Sequence, residues 1–513
     1  MPWRWLLAYV AATFFAFPQP LGDTFVLDLG LLLAPVAPAL LLVALRGLTP
    51  GRAAWVGFIA GWLAHAALLH WAYVVTVTYG HAPVIAGLLA PFGMALYIAP
   101  FIAGFAWVAA LLAQRGLANP FLIAAAWVTF EWLRSWVLTG FTWGGIGYGL
   151  HATSLAWELG SRVGVAGLTF TAVAIGAGFA SGGRWTRAAA GAGLVLVWTS
   201  AFAATLQFTP SAATPRIRVA ALQGNIDQGQ KWSREAFEET LLAYEDLTRR
   251  AASDRAQLIV WPETAVPASL AYPELRDRIA SLAREVRTPL IVGAVGIDFD
   301  ANGEPIAFYD SAFVFSHEGA LLDRYDKTHL VPFGEYLPLR PLLGRFIRAV
   351  ATGATANDVT PGRRVRAIDV PLANGETIRV GIPICYELIF PDLVRGFADD
   401  GAQLLVGITN DAWYGRTGSP YQFLAMTALR SAETRLPGVR AANTGVSALI
   451  DSEGRVRAKT RIFERDLVVG NLELSAQRAT TAGHYADFFA YSCTAATVLF
   501  SLIAVHRGRK KTS

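Results

Sequence analysis

Long apolar runs separated by short polar breaks fill the first two hundred residues, and the pattern then changes. About eight runs are of roughly membrane-crossing length: 3–17, 25–45, 53–76, 86–112, 120–137, 162–181, 187–206 and 486–506. The first is short and contains Arg4, as the apolar part of a leader peptide does. No small-x-small cleavage site follows it, so it is expected to stay as a helix. Between 215 and 480 the periods are those of a water-soluble domain. Strands are expected at 216–222, 257–261, 290–295, 312–316, 321–325, 378–384, 403–408 and 446–450, and helices at 234–252, 273–286, 388–399 and 420–435. Strands alternating with helices predict an α/β domain with two packed layers of strand.

The expected organisation is therefore a membrane domain of seven spans over 1–206 and a soluble domain over 215–480. An eighth transmembrane helix over 486–506 and a basic tail over 507–513 follow. Composition agrees: 54% of residues are hydrophobic and only 16% charged, below the globular norm of about 25%. Arginines orient the spans. Arg4, Arg46, Arg52, Arg115, Arg184, Arg187 and the tail from Arg507 to Lys511 fall on one side, while loops 18–24, 77–85 and 139–160 hold no Lys or Arg. The positive-inside rule puts both termini in the cytoplasm and the soluble domain outside, in the periplasm of a Gram-negative inner membrane. These arginines account for part of the net charge of +5, which gives no reason to expect nucleic acid as a partner.

The fifth span carries Glu131 and Arg134 at i, i+3 spacing, which predicts a pair on one helix face. Trp127, Trp132, Trp136 and Trp143 surround them, as an interfacial aromatic belt or as the wall of a lipid-facing vestibule. The glycine-rich stretch 144–149 follows no soluble strand, so it is not a dinucleotide fingerprint.

Three segments of the soluble domain carry candidate chemistry. Trp261-Pro262-Glu263-Thr264 places a carboxylate just past a buried strand. The stretch from Tyr325 to Pro338 contains Lys327, His329 and Glu335. Gly381-Ile382-Pro383-Ile384-Cys385-Tyr386-Glu387 places a thiol at a strand-to-helix turn, where a helix dipole is expected to favour thiolate. Cys385 and Cys493 are the only cysteines, so no metal-type cysteine spacing exists and no internal disulfide is expected. Taken alone, Cys385 reads as a small buried hydrophobe at the end of a strand, and its neighbours reverse that reading. Lys327 stands out because only five of 43 basic residues are lysine, which suggests a compact point charge is needed there. Glu263, Lys327 and Cys385 form a coherent set of base, cation and nucleophile, and strand ends in α/β folds converge.

Glu263, Lys327 and Cys385 in these contexts resemble the nitrilase, or carbon–nitrogen hydrolase, superfamily. Joined to multiple spans, the whole chain resembles the apolipoprotein N-acyltransferase family, most specifically in Val331-Pro332-Phe333-Gly334-Glu335, Cys385-Tyr386-Glu387, Gln223-Gly224-Asn225 and Asn410-Asp411-Ala412-Trp413-Tyr414. The resemblance implies an α-β-β-α sandwich joined to a helical membrane domain. It implies Glu263 as base, Lys327 as oxyanion stabiliser and Cys385 as nucleophile, with Glu335 and Glu387 as supporting acids. Trp232, Tyr386, Trp413 and Tyr414 match aromatics near the substrate path. The implied reaction passes a fatty acyl chain from a phospholipid, through a cysteine thioester, to the N-terminal amine of a diacylglyceryl-cysteine apolipoprotein. It requires no metal and no other cofactor.

The apolar and basic segment 337–347 reads as an arm that dips into lipid headgroups or as a packed amphipathic segment. Rival readings are a membrane-anchored amidase or thioester hydrolase, a transporter or scaffold, and a cysteine–histidine hydrolase using His329 or His484. The orientation is testable. A reporter active only outside the cytoplasm should be active when fused after residue 300 and inactive after residue 513. The reverse pattern would overturn the expected topology.

Overall fold

The computed structural model describes residues 3–22, 25–206, 215–229, 234–338, 359–475 and 482–509. Helices α1 (Trp3–Phe15), α2 (Gly30–Ala44), α3 (Pro50–Leu68), α4 (Val84–Gln114), α5 (Pro120–Arg134), α6 (Ser154–Ala180) and α7 (Arg184–Leu206) form the N-terminal half. The second half adds α8 (Arg234–Ser253), α9 (Pro273–Val286), α10 (Pro391–Asp399), α11 (Ser419–Thr434) and the C-terminal α12 (Ala482–Arg509). Each of the eight expected apolar runs carries one of these helices. Three are long and apolar enough to cross a membrane: α4, α6 and residues Tyr485–Gly508 of α12. The run 53–76 is not continuous, because α3 stops at Leu68 and a π-helical turn, Val74–Tyr79, follows. Local chemistry sets the helix starts. Pro120 opens α5 behind Asn119, whose side chain accepts the Leu122 N–H, and Thr153 accepts the Ala156 N–H ahead of α6.

The strands are β1 (Gln19–Leu21), β2 (Phe25–Leu27), β3 (Arg216–Gln223), β4 (Leu258–Val260), β5 (Val266–Ser269), β6 (Leu290–Phe299), β7 (Pro305–Phe315), β8 (Leu321–Asp326), β9 (Ile368–Pro371), β10 (Thr377–Gly381), β11 (Leu404–Thr409), β12 (Gly438–Ala442), β13 (Ala448–Ile450), β14 (Val456–Lys459) and β15 (Asp466–Glu473). Apart from the small β1–β2 hairpin they make two sheets, ordered β15-β3-β4-β6-β7-β8, with β5 beside β6, and β14-β13-β12-β11-β10-β9. Parallel pairs form the middle of each sheet, β3–β4–β6 in one and β10–β11–β12 in the other.

Alternation explains the layering. Ile217, Val219 and Ala221 of β3 share a core with Val380, Val406, Ile408 and Val439 of the other sheet. Ala220 and Leu222, pointing the other way, share a core with Leu241 and Leu247 of α8 and Ile279 and Leu282 of α9. The second sheet is covered by α10 and α11, with Phe397 pressed against Gly381 of β10. The order is helices, sheet, sheet, helices. Each inner strand can be apolar on both faces only because both faces are covered.

The two halves meet through α11, which rests on α6. Val165 N–H donates to Glu433 at 2.7 Å, and Arg435 donates to Ser161 Oγ at 2.7 Å. The loop after α5 adds Thr142 Oγ1 donating to Ile389 O at 2.6 Å and Trp143 Nε1 donating to Gln422 at 2.9 Å. The expected Glu131–Arg134 pair does not form. Glu131 instead accepts from Trp127, Ile146 N–H and Thr169, and Arg134 turns toward His65 and Thr142 O. Backbone and hydroxyl donors outcompete a neighbour on the same helix, because a buried backbone N–H left unpaired is costly.

Candidate active site

Strand ends of the two sheets bring the three chemical segments to one place. Glu263 follows β4, Lys327 follows β8, and the Cys385 turn follows β10, held by a bridge between Ile384 and Ile408 of β11. The Glu263 turn lies so close to β6 that a Cβ at Gly293 would come within 2.1 Å of Pro262 O and 2.8 Å of Glu263 Cα. Only glycine permits that approach. Cys385 has φ of 47°, in the left-handed region that a non-glycine residue adopts at a cost.

Lys327 is the centre of the site. Its side chain is fully buried, and its backbone N–H is fixed to Asp310 O at 2.9 Å. Its Nζ lies 2.5 Å from Glu335 Oε1, 3.5 Å from Glu263 Oε1 and 3.6 Å from Asp310 Oδ2. Burial works against the ammonium, but Glu335 and Glu263 outweigh it, and the lysine is held well above its ordinary range. Oxygens of Glu263, Asp310 and Glu335 all lie within 4.8 Å of one another, a spacing that could hold a metal ion. The ammonium already lies against all three, so a lysine supplies the cation here.

Asp310, in β7, did not stand out in the sequence. Burial and then the charge of Glu263 push it well up, and it hydrogen-bonds to Glu263. The available signal was an acid in a strand whose following residues, Ser311 to Phe315, are all buried.

Glu387 joins two turns. Its Oε2 accepts the Ile384 N–H at 2.8 Å, on the Cys385 side. Its Oε1 accepts Thr328 N–H and Thr328 Oγ1, both at 2.7 Å, Tyr325 OH at 2.9 Å and His329 N–H at 3.2 Å, on the Lys327 side. Glu335 is fixed in the same manner, with Oε2 accepting the Val331 N–H at 2.9 Å.

The Cys385 thiol is pushed well up from its ordinary value, first by burial and then by Glu263. This reverses the thiolate expected from the turn. The helix it opens is a five-residue 3-10 segment, Cys385–Ile389, and the charges of Asp411 and Glu335 add to that of Glu263. His329 packs its ring on Phe390 at 4.1 Å and on Tyr386 at 5.7 Å. Burial first, then Lys327, lowers it, so it stays neutral near pH 7. Nothing in this geometry pairs it with the thiol.

The aromatics face the membrane half. Tyr386 OH donates to Gly140 O at 3.2 Å, Tyr414 packs against Trp71 and Trp143, and half-exposed Trp413 packs against Tyr79. Trp232 lies outside the described residues, as does most of the 337–347 segment. Asp411 forms a fully buried bidentate pair with Arg440 at 2.8 and 3.0 Å, beneath Trp413 and Tyr414.

Two sheets between helices, with cysteine, lysine and glutamate at the strand ends, define a nitrilase-type domain. A family model described as carbon-nitrogen hydrolase matches residues 218–482, and one described as the apolipoprotein N-acyltransferase N-terminal domain matches 4–178. The apolipoprotein N-acyltransferase of Geobacter metallireducens is 36% identical over 93% of this chain and 91% of its own. That of Methylococcus capsulatus is 35% identical over 86% of each chain. A solved carbon-nitrogen hydrolase from Helicobacter pylori aligns with 50% of this chain and 89% of its own at 17% identity and a TM-score of 0.38. The chain belongs to the apolipoprotein N-acyltransferase family.

A raised thiol has a direct consequence. At a given pH the thiolate fraction is smaller than for a free cysteine, so iodoacetamide should modify the Cys385 peptide slowly at pH 7. The rate should keep climbing above pH ~8.5, where an ordinary thiol begins to level off. A rate already flat above pH 7 would contradict the buried, acid-flanked thiol.

Proposed function

We propose that this protein transfers a fatty acyl chain from a phospholipid to the N-terminal amine of a diacylglyceryl-cysteine apolipoprotein, through a thioester on Cys385. One observation carries the reading: a buried ammonium, clamped by carboxylates, sits between a carboxylate base and a thiol at the face that abuts the membrane helices.

The steps follow from the charges. Cys385 starts as a thiol. Glu263 takes its proton as sulfur attacks the ester carbonyl, so no free thiolate accumulates. The carbonyl oxygen becomes an oxyanion, held by Lys327 Nζ and the Tyr386 N–H. As the tetrahedral intermediate collapses, the ester C–O bond breaks, Glu263 returns the proton to the leaving alkoxide, and a lysophospholipid departs. The lipoprotein amine then attacks the thioester. Its proton passes to Glu263 and on to the departing sulfur, leaving an amide and the free thiol. The thioester stores the acyl group, so the sequence is ping-pong and draws on no nucleotide. Asp310 and Glu335 keep Lys327 aimed and charged, and Glu387 keeps the two turns in register. Trp413, Tyr414, Tyr386 and Trp232 border the lipid path.

In this reading residues 1–206 are the membrane domain and 215–480 the catalytic domain. All eight apolar helices cross a bacterial inner membrane, with both termini cytoplasmic and catalysis in the periplasm. Several helices are shorter than a free-standing span, which lateral packing in a bundle allows. Water as final acceptor would make the protein an amidase or thioester hydrolase instead.

Turnover of a fluorescent phospholipid with a diacylated lipopeptide acceptor tests the reading. Cys385→Ser should abolish N-acyl product, while Cys493→Ser should retain it. Lys327→Arg should lose about 10²–10³ in rate, because a longer planar cation misplaces the oxyanion donor. His329→Ala should retain most activity. Near wild-type turnover by Lys327→Arg, or free fatty acid as the sole product, would refute it.

A further inference from the structure

We propose that a second phospholipid binds beside the active site, with its phosphate on Arg134 and an acyl chain between α5, α6 and α12. A cavity of about 420 Å³ lies there, walled by Trp132, Val165, Ala490, Phe390 and Leu393. Its volume is in the range of small-molecule sites. Cys385, Lys327 and Glu263 do not line it, so it is distinct from the reaction centre.

Arg134 makes the case for an anion. It lines the cavity and is only 3% exposed, yet among the described residues no carboxylate lies within ion-pair distance of it. Its hydrogen bonds, to His65 Nε2 and Thr142 O, are both long at 3.4 Å, and Nε has no partner. The other charges of the cavity are engaged. Arg395 pairs with Asp392 and Asp487, Glu433 pairs with Arg430 and accepts the Val165 N–H, and Glu131 is taken up by Trp127, Ile146 N–H and Thr169. A buried guanidinium without an anion is costly, and a planar donor fork suits a phosphate.

The surroundings select a lipid as the source of that phosphate. Arg134 ends α5, and Trp132 beside it packs on Tyr491 of α12, an aromatic pair of the kind found at headgroup level. Gly164, at φ 63° and ψ −171°, breaks α6 beside the cavity, and a Cβ there would sit 3.1 Å from Ala486 on α12. The break turns α6 at the cavity wall, where it meets α12. The occupant also bears on catalysis. It completes the shell of the residue that holds Thr142, whose hydroxyl bonds to Ile389 at the end of the Cys385 helix. The inference rests on the proposed function in placing the outer end of α5 at headgroup level.

The test uses full-length Cys385→Ser protein in phospholipid nanodiscs, so labelling does not depend on acyl transfer and a failed transfer assay leaves the result standing. The probe is a phospholipid with a photoreactive diazirine midway along one acyl chain, and cross-linked peptides are mapped by mass spectrometry. Labelling within 120–134 or 482–509 is expected, falling about tenfold or more in Arg134→Gln, the effect of losing a charge-assisted contact. A diacylglycerol carrying the same diazirine, which lacks phosphate, should label these peptides as weakly. Equal labelling of wild type and Arg134→Gln, or by the two probes, overturns the proposal. If Arg134→Gln does not fold, Ala490→Phe decides: it fills the groove, so lost labelling supports the site and unchanged labelling overturns it.

Discussion

A single carboxylate, Glu387, holds the rest of the site in register. One oxygen is bonded to the turn that presents Cys385, and the other accepts four donors from the segment that presents Lys327. Two turns from different sheets therefore cannot drift apart without stranding a fully buried charge. Hydrogen bonds to a charged group contribute about 1.5–3 kcal/mol each, and stranding the acceptor costs more. That rigidity matters because the cysteine sits in an unfavourable backbone conformation that surrounding structure must enforce. It also matters because three acids and one lysine share a small space.

The same economy explains the resting state. A thiol buried beside acids is a poor spontaneous nucleophile, which protects it from oxidation. In the proposed mechanism it becomes reactive when an ester carbonyl sits against Lys327, because charge then develops on an oxygen next to an ammonium that is already desolvated and aimed. The membrane half contributes to this seat directly, through Gly140 on Tyr386 and Thr142 on Ile389. The Cys385 turn is thus mounted on both halves of the protein.

Much of this was legible in the sequence. The periodicity marked both sheets and the main helices, and strand ends were where the reactive residues were expected. Lys327 stood out by the rarity of lysine, and Cys385 by its company. What failed was whatever depends on burial and on partners distant in sequence. The thiol looked activated from its turn, but burial and the charge of Glu263, just past β4, push it the other way. Glu131 and Arg134 looked paired from their spacing, but the loop and helix that follow claim Glu131 with better donors. Asp310 was invisible because one acid in a strand resembles a solvent-facing residue until the second sheet covers it. Strands β5, β9, β12, β14 and β15, four to eight residues long, escaped because proline, glycine or charged residues interrupt their apolar pattern.

In the proposed mechanism the acyl group passes through Cys385. Intact-mass analysis of protein purified from membranes, followed by peptide mapping, tests it most directly. The account predicts a fatty-acyl mass on the Cys385 peptide that hydroxylamine removes, as it removes a thioester, and that disappears when diacylated lipopeptide is added. An acyl mass on another residue, or active enzyme that never carries acyl on Cys385 when donor is supplied without acceptor, would contradict it.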